Sequence, residues 1–571
     1  MNNKLRFPSR WSACGNRITF LVGVLYGVFL YLLVYGPHVL DVTYDDWLLT
    51  GGDLSQHYIG WLCYRNSPWH FPPGLMSGLN DPGMTSIVYT DSIPHFAFLF
   101  KILSPLLPQT FQYFGLFGIL SLALMGGFSA LLLNHFLSCL PASVVLSTFF
   151  VISPYILQRL YVHTSLGGGQ WLIVASLWLW LCHPFAGKKW VVPLCWCGLA
   201  LAAAGIHIYF LPMVFPILGM WCLERLLAKQ PVKAISTFAA SVAVVLADFW
   251  FYGIFYGSET LEAGGLGEIS ANLNTLFDAQ NTSLFLKELP HMPEQNEGYG
   301  YLGLGTIVLL AIAVLFKIFT FRKRPPLFTI TQKIQLTVLF VFYEIAALSP
   351  IVTLGDHVVL EIPLWEPIRQ VWSVFRATGR FIWPVGHLVM FLSMVTVFSM
   401  LTPRKWLTVL GAVGITVLQI VDISPYLRSV YNNEKYRHRV THTLSIHQKA
   451  WDRLLETKEH VIFQPADTFV FASGGSDIAL LAMRHHATVS NFYFARSDIV
   501  ELARYNQLIQ EELDNGITRD DTIYVLEESD LALPDYDLAL YKVDQMIIGI
   551  SQQDDTLEQM EGVERYLPVT E

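Results

Sequence analysis

The sequence predicts a polytopic α-helical membrane protein with a C-terminal α/β domain outside the membrane. Of its 571 residues, 53% are hydrophobic and only 14% are charged, whereas soluble proteins carry roughly 25% charged residues. The apolar residues are gathered in long runs, and the tail of the chain has a more charged composition. The formal net charge of −9 does not suit a nucleic-acid partner, and none is expected.

Apolar runs follow one another through residues 1–424, which we predict to be a transmembrane module of about eleven helices. The runs lie near residues 18–36, 110–133, 142–160, 170–183, 190–205, 208–228, 233–255, 303–320, 332–349, 382–401 and 405–422. The first run is about long enough to span a bilayer, so we interpret it as a helix and not as a cleavable signal peptide. Residues 94–104 predict a short interfacial or re-entrant helix.

Lysine and arginine are concentrated in alternate connections between the runs. They are Lys4, Arg6, Arg10 and Arg17, then Lys188 and Lys189, then Arg225, Lys229 and Lys233, then Arg322, Lys323 and Arg324, then Arg404 and Lys405. Cytoplasmic loops carry such an excess, so the N-terminus is predicted to be cytoplasmic. The long loops 37–93, 256–302 and 350–381 are then extracytoplasmic, and an odd number of spans puts the C-terminus outside as well.

The tail, residues 425–571, is predicted to be the extracytoplasmic α/β domain. Four short apolar runs have the composition of strands, and two longer segments have helical periodicity. The strands are predicted at 460–465, 487–494, 521–526 and 538–543, and the helices at 477–486 and 497–513.

The first outer loop carries the candidate catalytic acids. Asp53 precedes His57 by four residues, so both side chains share one face of a predicted helix. Asp91 comes just before the chain re-enters the bilayer. A carboxylate at a membrane surface loses solvation, which raises its proton affinity and suits a general base for a hydroxyl. Alternatively, these acids and the neighbouring Asp45 and Asp46 only cap helices and stay solvated.

A second set of polar residues lies at predicted outer helix ends and in the loop 256–302. It consists of Arg159, His163, Gln170, His207, Tyr209, Glu297 and Tyr299. Their location on one side of the membrane predicts a shared cavity that contacts a sugar or an acceptor. The alternative is that each has a structural role where it stands.

Three arginines in RQVWSVFRATGRFIWP form the third set: Arg369, Arg376 and Arg380. A guanidinium can hold phosphate through two hydrogen bonds, so the set suits a lipid-linked phosphate at the outer headgroup level. The alternative is that they are anchors that reach lipid headgroups. Asp248 and Glu344 are intramembrane carboxylates and are functional candidates on that ground.

No metal site or cofactor is predicted, although the sequence does not exclude a divalent metal. The seven cysteines follow neither a zinc-ligand spacing nor a disulfide framework, and most lie in or beside apolar runs.

Four segments resemble the DUF6311 type of bacterial membrane proteins: GGDLSQHYIGWLCYRNSPWHFPPG, TSIVYTDSIPH, NEGYGYLGLG and FRATGRFIWP. That family is similar to the GT-C glycosyltransferase superfamily. The resemblance implies a bacterial inner-membrane enzyme with a periplasmic C-terminal domain and a polyprenyl-phosphate-linked sugar as donor. It implies a catalytic acid in the first outer loop, for which Asp53 is the best match and Asp91 the second. The arginines of RATGR match the expected phosphate contacts.

The expected function is therefore that of an inverting glycosyltransferase whose acceptor is an unknown glycan, lipid or protein. The alternative is a transporter or lipid-handling protein of the cell envelope without catalytic activity. Transporters usually have related halves and helices broken near the bilayer midplane, and neither is apparent. A sensor is a third class, but no cytoplasmic output domain is recognisable.

Overall fold

The chain forms two compact units in a computed structural model, which describes residues 13–185, 187–256, 266–319, 326–466, 474–496, 499–526 and 536–566. We call them the helical unit, Met1–Val42, Tyr113–Val245 and Glu262–Arg439, and the mixed unit, Thr43–Gln112, Leu246–Leu261 and Val440–Glu571. Most of the first outer loop groups with the tail in this division, and the domain boundary at residue 424 stays a prediction. The predicted cytoplasmic residues Lys4, Arg6, Arg10 and 322–324 lie outside the described residues.

Helices account for most of the described chain. In order they are α1 (Ala13–Tyr35), α2 (Gly52–Asn66), α3 (Pro94–Ile102), α4 (Phe114–Leu137), α5 (Leu140–Val151), α6 (Pro154–Arg159), α7 (Thr164–Gly168), α8 (Trp171–Cys182), α9 (Val191–Ile206), α10 (Phe210–Leu227), α11 (Pro231–Phe251), α12 (Leu304–Phe319), α13 (Ile330–Leu348), α14 (Glu366–Ser373), α15 (Ile382–Phe398), α16 (Lys405–Asp422), α17 (Ser424–Tyr431), α18 (Glu434–Arg437), α19 (Gln448–Leu455), α20 (Gly475–Arg484), α21 (Ile499–Asp514) and α22 (Asp555–Glu558). Each predicted apolar run contains a helix.

Eight helices within the described residues are long and apolar enough to cross a membrane. Three more runs contain apolar helices that are shorter: α5, α9 and α12. These helices are compatible with a membrane protein, and the number of eleven spans stays a prediction. The run 142–160 is divided into α5 and α6 because Pro154 cannot donate a backbone hydrogen bond and stands at the first position of a new helix.

Helices α1 and α4 cross at unusually close range through glycines. Gly23 and Gly27 are four residues apart on α1, the spacing that lets membrane helices approach each other. A Cβ atom on Gly23 would lie 2.5 Å from the carbonyl oxygen of Gly126, and one on Gly27 would overlap the carbonyl oxygen of Leu122. The two backbones are therefore in direct contact, and no side chain fits between them.

We expect Gly27→Val to lower the free energy of unfolding by about 1–3 kcal/mol, because the new side chain must push the backbone of α4 away. Gly198→Val is the matched control, since a Cβ atom added to Gly198 on α9 would have open space within 4 Å. Thermal unfolding of the purified protein in lipid nanodiscs measures both. Equal melting temperatures for the two variants would contradict the close crossing.

The described strands form one large sheet and two hairpins. They are β1 (Leu75–Ser77), β2 (Met84–Ser86), β3 (Ile351–Leu354), β4 (His357–Glu361), β5 (His460–Gln464), β6 (Thr488–Val489), β7 (Thr522–Leu526), β8 (Ala539–Val543), β9 (Met546–Ile550) and β10 (Val563–Arg565). The six-stranded sheet has the order β10-β8-β9-β7-β5-β6, in which β5 is parallel to β6 and β7, and the other pairs are antiparallel.

The tail contains each predicted strand and helix, with changed bounds. The segment 487–494 contributes only the two residues of β6, and β9 and β10 are additional strands. Helices α20 and α21 occupy the predicted helical segments, of which residues 497–498 lie outside the described part of the chain. The sheet core packs against α21 through Ile509 and Leu513, which are fully buried with Ile462 of β5.

Within the mixed unit, the first outer loop is bound to the tail through many hydrogen bonds. The Gln56 amide on α2 donates to the carbonyl oxygen of Tyr493 at 3.0 Å, and the Asn66 amide donates to that of Met483 at 2.9 Å. Asp45 is buried, and it pairs with Arg484 at 3.2 Å and accepts from the Tyr58 hydroxyl at 2.7 Å. The loop and the tail therefore fold as one body.

Candidate functional site

An ion cluster in the helical unit brings together three of the predicted site residues. Arg159 donates through Nη1 to Oε1 of Glu297 at 3.0 Å. Arg380 donates to the other carboxylate oxygen through Nε at 3.1 Å and Nη2 at 2.7 Å. The arginine side chains are only 7% and 12% exposed, and that of Glu297 is 32% exposed. One carboxylate therefore holds two guanidinium groups, and its own outer edge stays accessible.

Two glycines explain how residues so distant in sequence meet. Glu297 and Gly298 end a 3-10 helix, Pro293–Gly298, and Gly379 and Arg380 lie in another, Thr378–Phe381. The two backbones cross at the glycines, where a Cβ on Gly379 would lie 2.7 Å from the Cα of Gly298. The motifs NEGYGYLGLG and FRATGRFIWP are thus contact partners, and any larger residue at the crossing would separate Glu297 from Arg380.

The electrostatics of the cluster favour anions. Burial raises the pKa of Glu297, but the charges of Arg380 and Arg159 and the hydrogen bonds from Arg380 lower it more, and the net result is a pKa of about 2. Glu297 is therefore ionised throughout the physiological range, and the three groups together carry one positive charge. A half-buried cluster with excess positive charge and guanidinium donors can bind a phosphate or carboxylate.

Tyr209 extends the cluster with an aromatic face. The Arg380 guanidinium lies 5.0 Å from the centre of the Tyr209 ring, a cation–π arrangement. The Tyr209 hydroxyl accepts a hydrogen bond from the backbone N–H of Ala377 at 2.8 Å, which ties the RATGR segment to the start of α10. His207 and His163 have ring centres 5.2 Å apart, and the His207 ring contacts that of Tyr209. The helical unit thus brings six of the predicted residues together.

Gln170 lies in a separate row of polar side chains among the helices. Its Oε1 is 3.1 Å from Nε2 of His387 on α15, whose Nδ1 is 3.1 Å from the Tyr155 hydroxyl on α6. All three side chains are buried. Tyr155 precedes Arg159 by one helical turn, so this row fixes the helix that carries Arg159, and a direct substrate contact by Gln170 stays a prediction.

The other two predicted phosphate ligands lie at the surface. Arg369 pairs with Glu366 on the exposed face of α14, at 2.8 Å. Arg376 is exposed and forms no ion pair with the residues that the structure describes. Trp365, Ile368 and Val371 also expose apolar surface along α14, so the segment that leads to the ion cluster has apolar and cationic surface side by side.

Tyr299 is placed inside the unit and not on an open surface. Its hydroxyl is 2.6 Å from that of Thr282, and its carbonyl accepts from the Trp383 indole at 3.0 Å. In this position it supports the loop that carries Glu297, and its contact with substrate stays a prediction.

The predicted acids of the first outer loop lie in the mixed unit. Asp53 stands in the first turn of α2, half-buried, and its carboxylate has no hydrogen bond or ion pair with the described residues. His57 lies on the same helix, as predicted, and is fully buried, so its predicted contact with substrate stays a prediction. Asp91 has a left-handed backbone conformation (φ 52°). One of its carboxylate oxygens lies within 4.8 Å of a ring nitrogen of His57. The Asp53 carboxylate is thus not occupied by a contact with the described residues.

The two carboxylates that are predicted to lie within the membrane differ in their surroundings. Asp248 of α11 accepts from His95 at 2.9 Å within the mixed unit. Glu344 on α13 has a buried oxygen, Oε2, without a hydrogen-bond partner in the described part of the chain.

Sequence reasoning does not find the residues that hold the candidate site together. Tyr155 lies on α6 and is hydrogen-bonded to His387 of α15. Gly298 and Gly379 form the backbone crossing. The glycines have a visible signal, because each adjoins a charged residue in a motif that stands out for other reasons. Tyr155 and His387 have a weaker signal, since each is a single polar side chain within an apolar run.

The family described as Domain of unknown function (DUF6311) matches residues 24–424. A second family, described as DUF6311 C-terminal domain, matches residues 450–551. No curated protein matches the chain.

Proposed function

Since the chain belongs to the DUF6311 family, we propose, from its site residues and from the resemblance to GT-C glycosyltransferases, that it is an inverting glycosyltransferase of a bacterial inner membrane. Its donor is a sugar on polyprenyl phosphate, and its acceptor is a hydroxyl of a glycan, lipid or protein on the extracytoplasmic side. The observation that carries the proposal is the half-buried cluster of Arg159, Glu297 and Arg380, with its excess positive charge and open edge.

The reaction needs a base on the acceptor and a cation on the leaving group. Asp53 takes the proton of the acceptor hydroxyl, and the hydroxyl oxygen attacks the anomeric carbon from the face opposite the lipid phosphate. The bond from that carbon to the phosphate oxygen breaks, and its electron pair leaves with polyprenyl phosphate. Arg376 and Arg380 stabilise the negative charge that grows on the phosphate. Asp53 is supported in this role by its lack of other partners among the described residues, and Asp91 is the second candidate.

The site's surroundings support a lipid-linked donor. The exposed Trp365, Ile368 and Val371 offer apolar contact to a prenyl chain beside the arginines. Tyr209, His163 and His207 are buried beside the cluster, so their direct contact with the sugar stays a prediction. We place the N-terminus in the cytoplasm and the C-terminal domain in the periplasm, following the distribution of lysine and arginine. The proposed step uses no metal.

The proposal is tested with purified protein in nanodiscs, radiolabelled polyprenyl-phosphate sugars and a membrane extract as the source of acceptors. Label transferred to the extract supports a transferase. Movement of sugar or lipid across vesicles without any transfer would instead favour the transporter. No transfer and no movement with any donor would refute the proposed activity.

We expect Arg376→Ala to raise the KM for the donor about tenfold, because it removes a charge-assisted hydrogen bond to phosphate. The side chain is exposed and has no ion-pair partner among the described residues, so the fold should not change. Arg428→Ala is the matched control, because Arg428 is an exposed arginine of the same unit. A KM equal to that of the wild type would exclude Arg376 from the donor site.

A further inference from the structure

A cleft of about 270 Å³ lies in the mixed unit, and none of the residues that line it takes part in the proposed reaction. Its walls are the turn between β1 and β2, the segment that follows β6, and the first turns of α21. Ligand pockets in proteins measure about 300–1,000 Å³, so this cleft suits a small ligand or the end of a longer one. It is built jointly by the first outer loop and the tail, which lie far apart in sequence.

The fold places this cleft where α/β sheets commonly bind ligands. Strand β6 is parallel to β5, and Ser490, Asn491, Phe492 and Phe494 line the cleft directly after its carboxyl end. The outer edge of β6 is already covered by backbone hydrogen bonds. The N–H of Val489 donates to the carbonyl oxygen of Gly78 at 2.7 Å, and the backbone N–H of Asp81 donates to the carbonyl oxygen of Val489 at 3.0 Å. A peptide could therefore not bind by adding a strand to this edge.

Aromatic rings line the cleft on two sides. Tyr256 is 44% exposed, and Phe494 is half-buried with its ring 5.7 Å from that of Phe492. Exposed flat rings beside hydrogen-bonding groups are suited to ligands with one apolar face and a polar rim. A sugar ring has this character, since its C–H groups form a face and its hydroxyls surround it.

The polar groups of the cleft are of the kinds that bind hydroxyls. The Tyr505 ring packs against the sheet core, while its buried hydroxyl lacks a hydrogen-bond partner in the described residues. The Asp81 and Glu501 carboxylates are hydrogen-bond acceptors and the Arg496 guanidinium is a donor; one oxygen of Asp81 lies 3.2 Å from Nδ1 of His460. With two carboxylates and one guanidinium, the lining has a net negative charge, which disfavours a phosphate or another anion.

We infer that this cleft is a carbohydrate-binding site for a neutral oligosaccharide. The ring of Tyr256 stacks on a sugar face, and the Tyr505 hydroxyl forms a hydrogen bond with a sugar hydroxyl. Its use as the acceptor site rests on the proposed transferase function, whereas the binding itself does not. A binding measurement without donor thus fails or succeeds independently of the transfer assay.

The test uses the full chain in lipid nanodiscs with maltotriose, chitotriose and mannotriose as probes, and inorganic phosphate as the anionic control. Isothermal titration calorimetry measures affinity. At least one trisaccharide binds, phosphate does not, and Tyr256→Ala weakens binding about tenfold by removing the stacking face. Phe255→Ala is the matched control, because Phe255 is an exposed neighbour that does not line the cleft. It leaves affinity unchanged.

A second variant removes one oxygen atom only. Tyr505→Phe weakens binding about three- to tenfold through the lost hydrogen bond and does not lower the melting temperature, because the buried hydroxyl has no partner to lose among the described residues. Tyr566→Phe is its control, since that ring packs on the same core cluster outside the cleft. Binding of none of the trisaccharides, equal binding by Tyr256→Ala, or competition by phosphate would each overturn the inference.

Discussion

Replacing Asp53 by asparagine is expected to reduce the rate of sugar transfer by about 10²–10⁴-fold, the usual contribution of a general base. Asparagine has the shape of aspartate but cannot take a proton from the acceptor. The Asp53 carboxylate has no hydrogen bond or ion pair with the described residues, so the substitution removes no stabilising contact. We therefore expect an unchanged melting temperature, an unchanged donor KM and a lower kcat.

Asp46→Asn is the matched control for this experiment. Asp46 lies in the same loop, and its carboxylate accepts the backbone N–H of His442 at 3.1 Å, which an amide oxygen can also accept. The control should transfer sugar at the wild-type rate. Equal rates for the wild type and Asp53→Asn would remove Asp53 from the mechanism, and loss of transfer in Asp91→Asn alone would assign the base to Asp91.

The elements of the helical unit could be predicted from the sequence because membrane helices carry their signal locally. Each apolar run contains a helix, and the one run that is divided has Pro154 at the break. The contacts between helices carry less local signal. The spacing of Gly23 and Gly27 indicates a close crossing, but it does not say which helix crosses there.

The extent of the mixed unit could not be predicted, because it depends on contacts between distant segments. The charged composition of the tail begins near residue 425, which suggests a boundary there. The structure instead joins residues 43–112 to the tail through contacts such as that of Gly78 with Val489. Strand β9 escapes prediction for a related reason: it follows β8 after a two-residue turn, Asp544 and Gln545, and the two strands look like one longer run.

The sequence predicts all members of the ion cluster as site residues, but with separate roles. It assigns Arg380 to phosphate, and Arg159 and Glu297 to substrate. One carboxylate binds both guanidinium groups because the two segments cross at Gly298 and Gly379. Hydrophobic periodicity cannot reveal such a crossing. The finding changes the expected chemistry, because Arg380 reaches an anion as a part of a fixed cluster and not as a free side chain.

The second large effect is expected for Glu297→Gln, which should lower the free energy of unfolding by about 1–3 kcal/mol. Removing one partner of a buried ion pair costs about 3–5 kcal/mol, and an exposed pair is worth about 0–1 kcal/mol. Glu297 lies between these cases, with its side chain 32% exposed. Its loss leaves the buried Arg159 and the largely buried Arg380 without this carboxylate. Glu294→Gln, an exposed residue of the same 3-10 helix, should have no effect.

The pH dependence separates this ionic effect from a packing effect. The pKa of Glu297 falls from its ordinary value of 4.5 to about 2 in the folded chain. Its contribution to stability is therefore complete above pH 4.5 and is lost as the pH falls through about 2. The difference in melting temperature between the wild type and Glu297→Gln should be constant from about pH 7 to 5 and shrink below the ordinary pKa.

Adding Arg159→Gln should restore part of the stability, because one uncompensated cation is removed. A difference that persists unchanged at about pH 3, or a double variant less stable than Glu297→Gln, would show that the cluster is not held by charge.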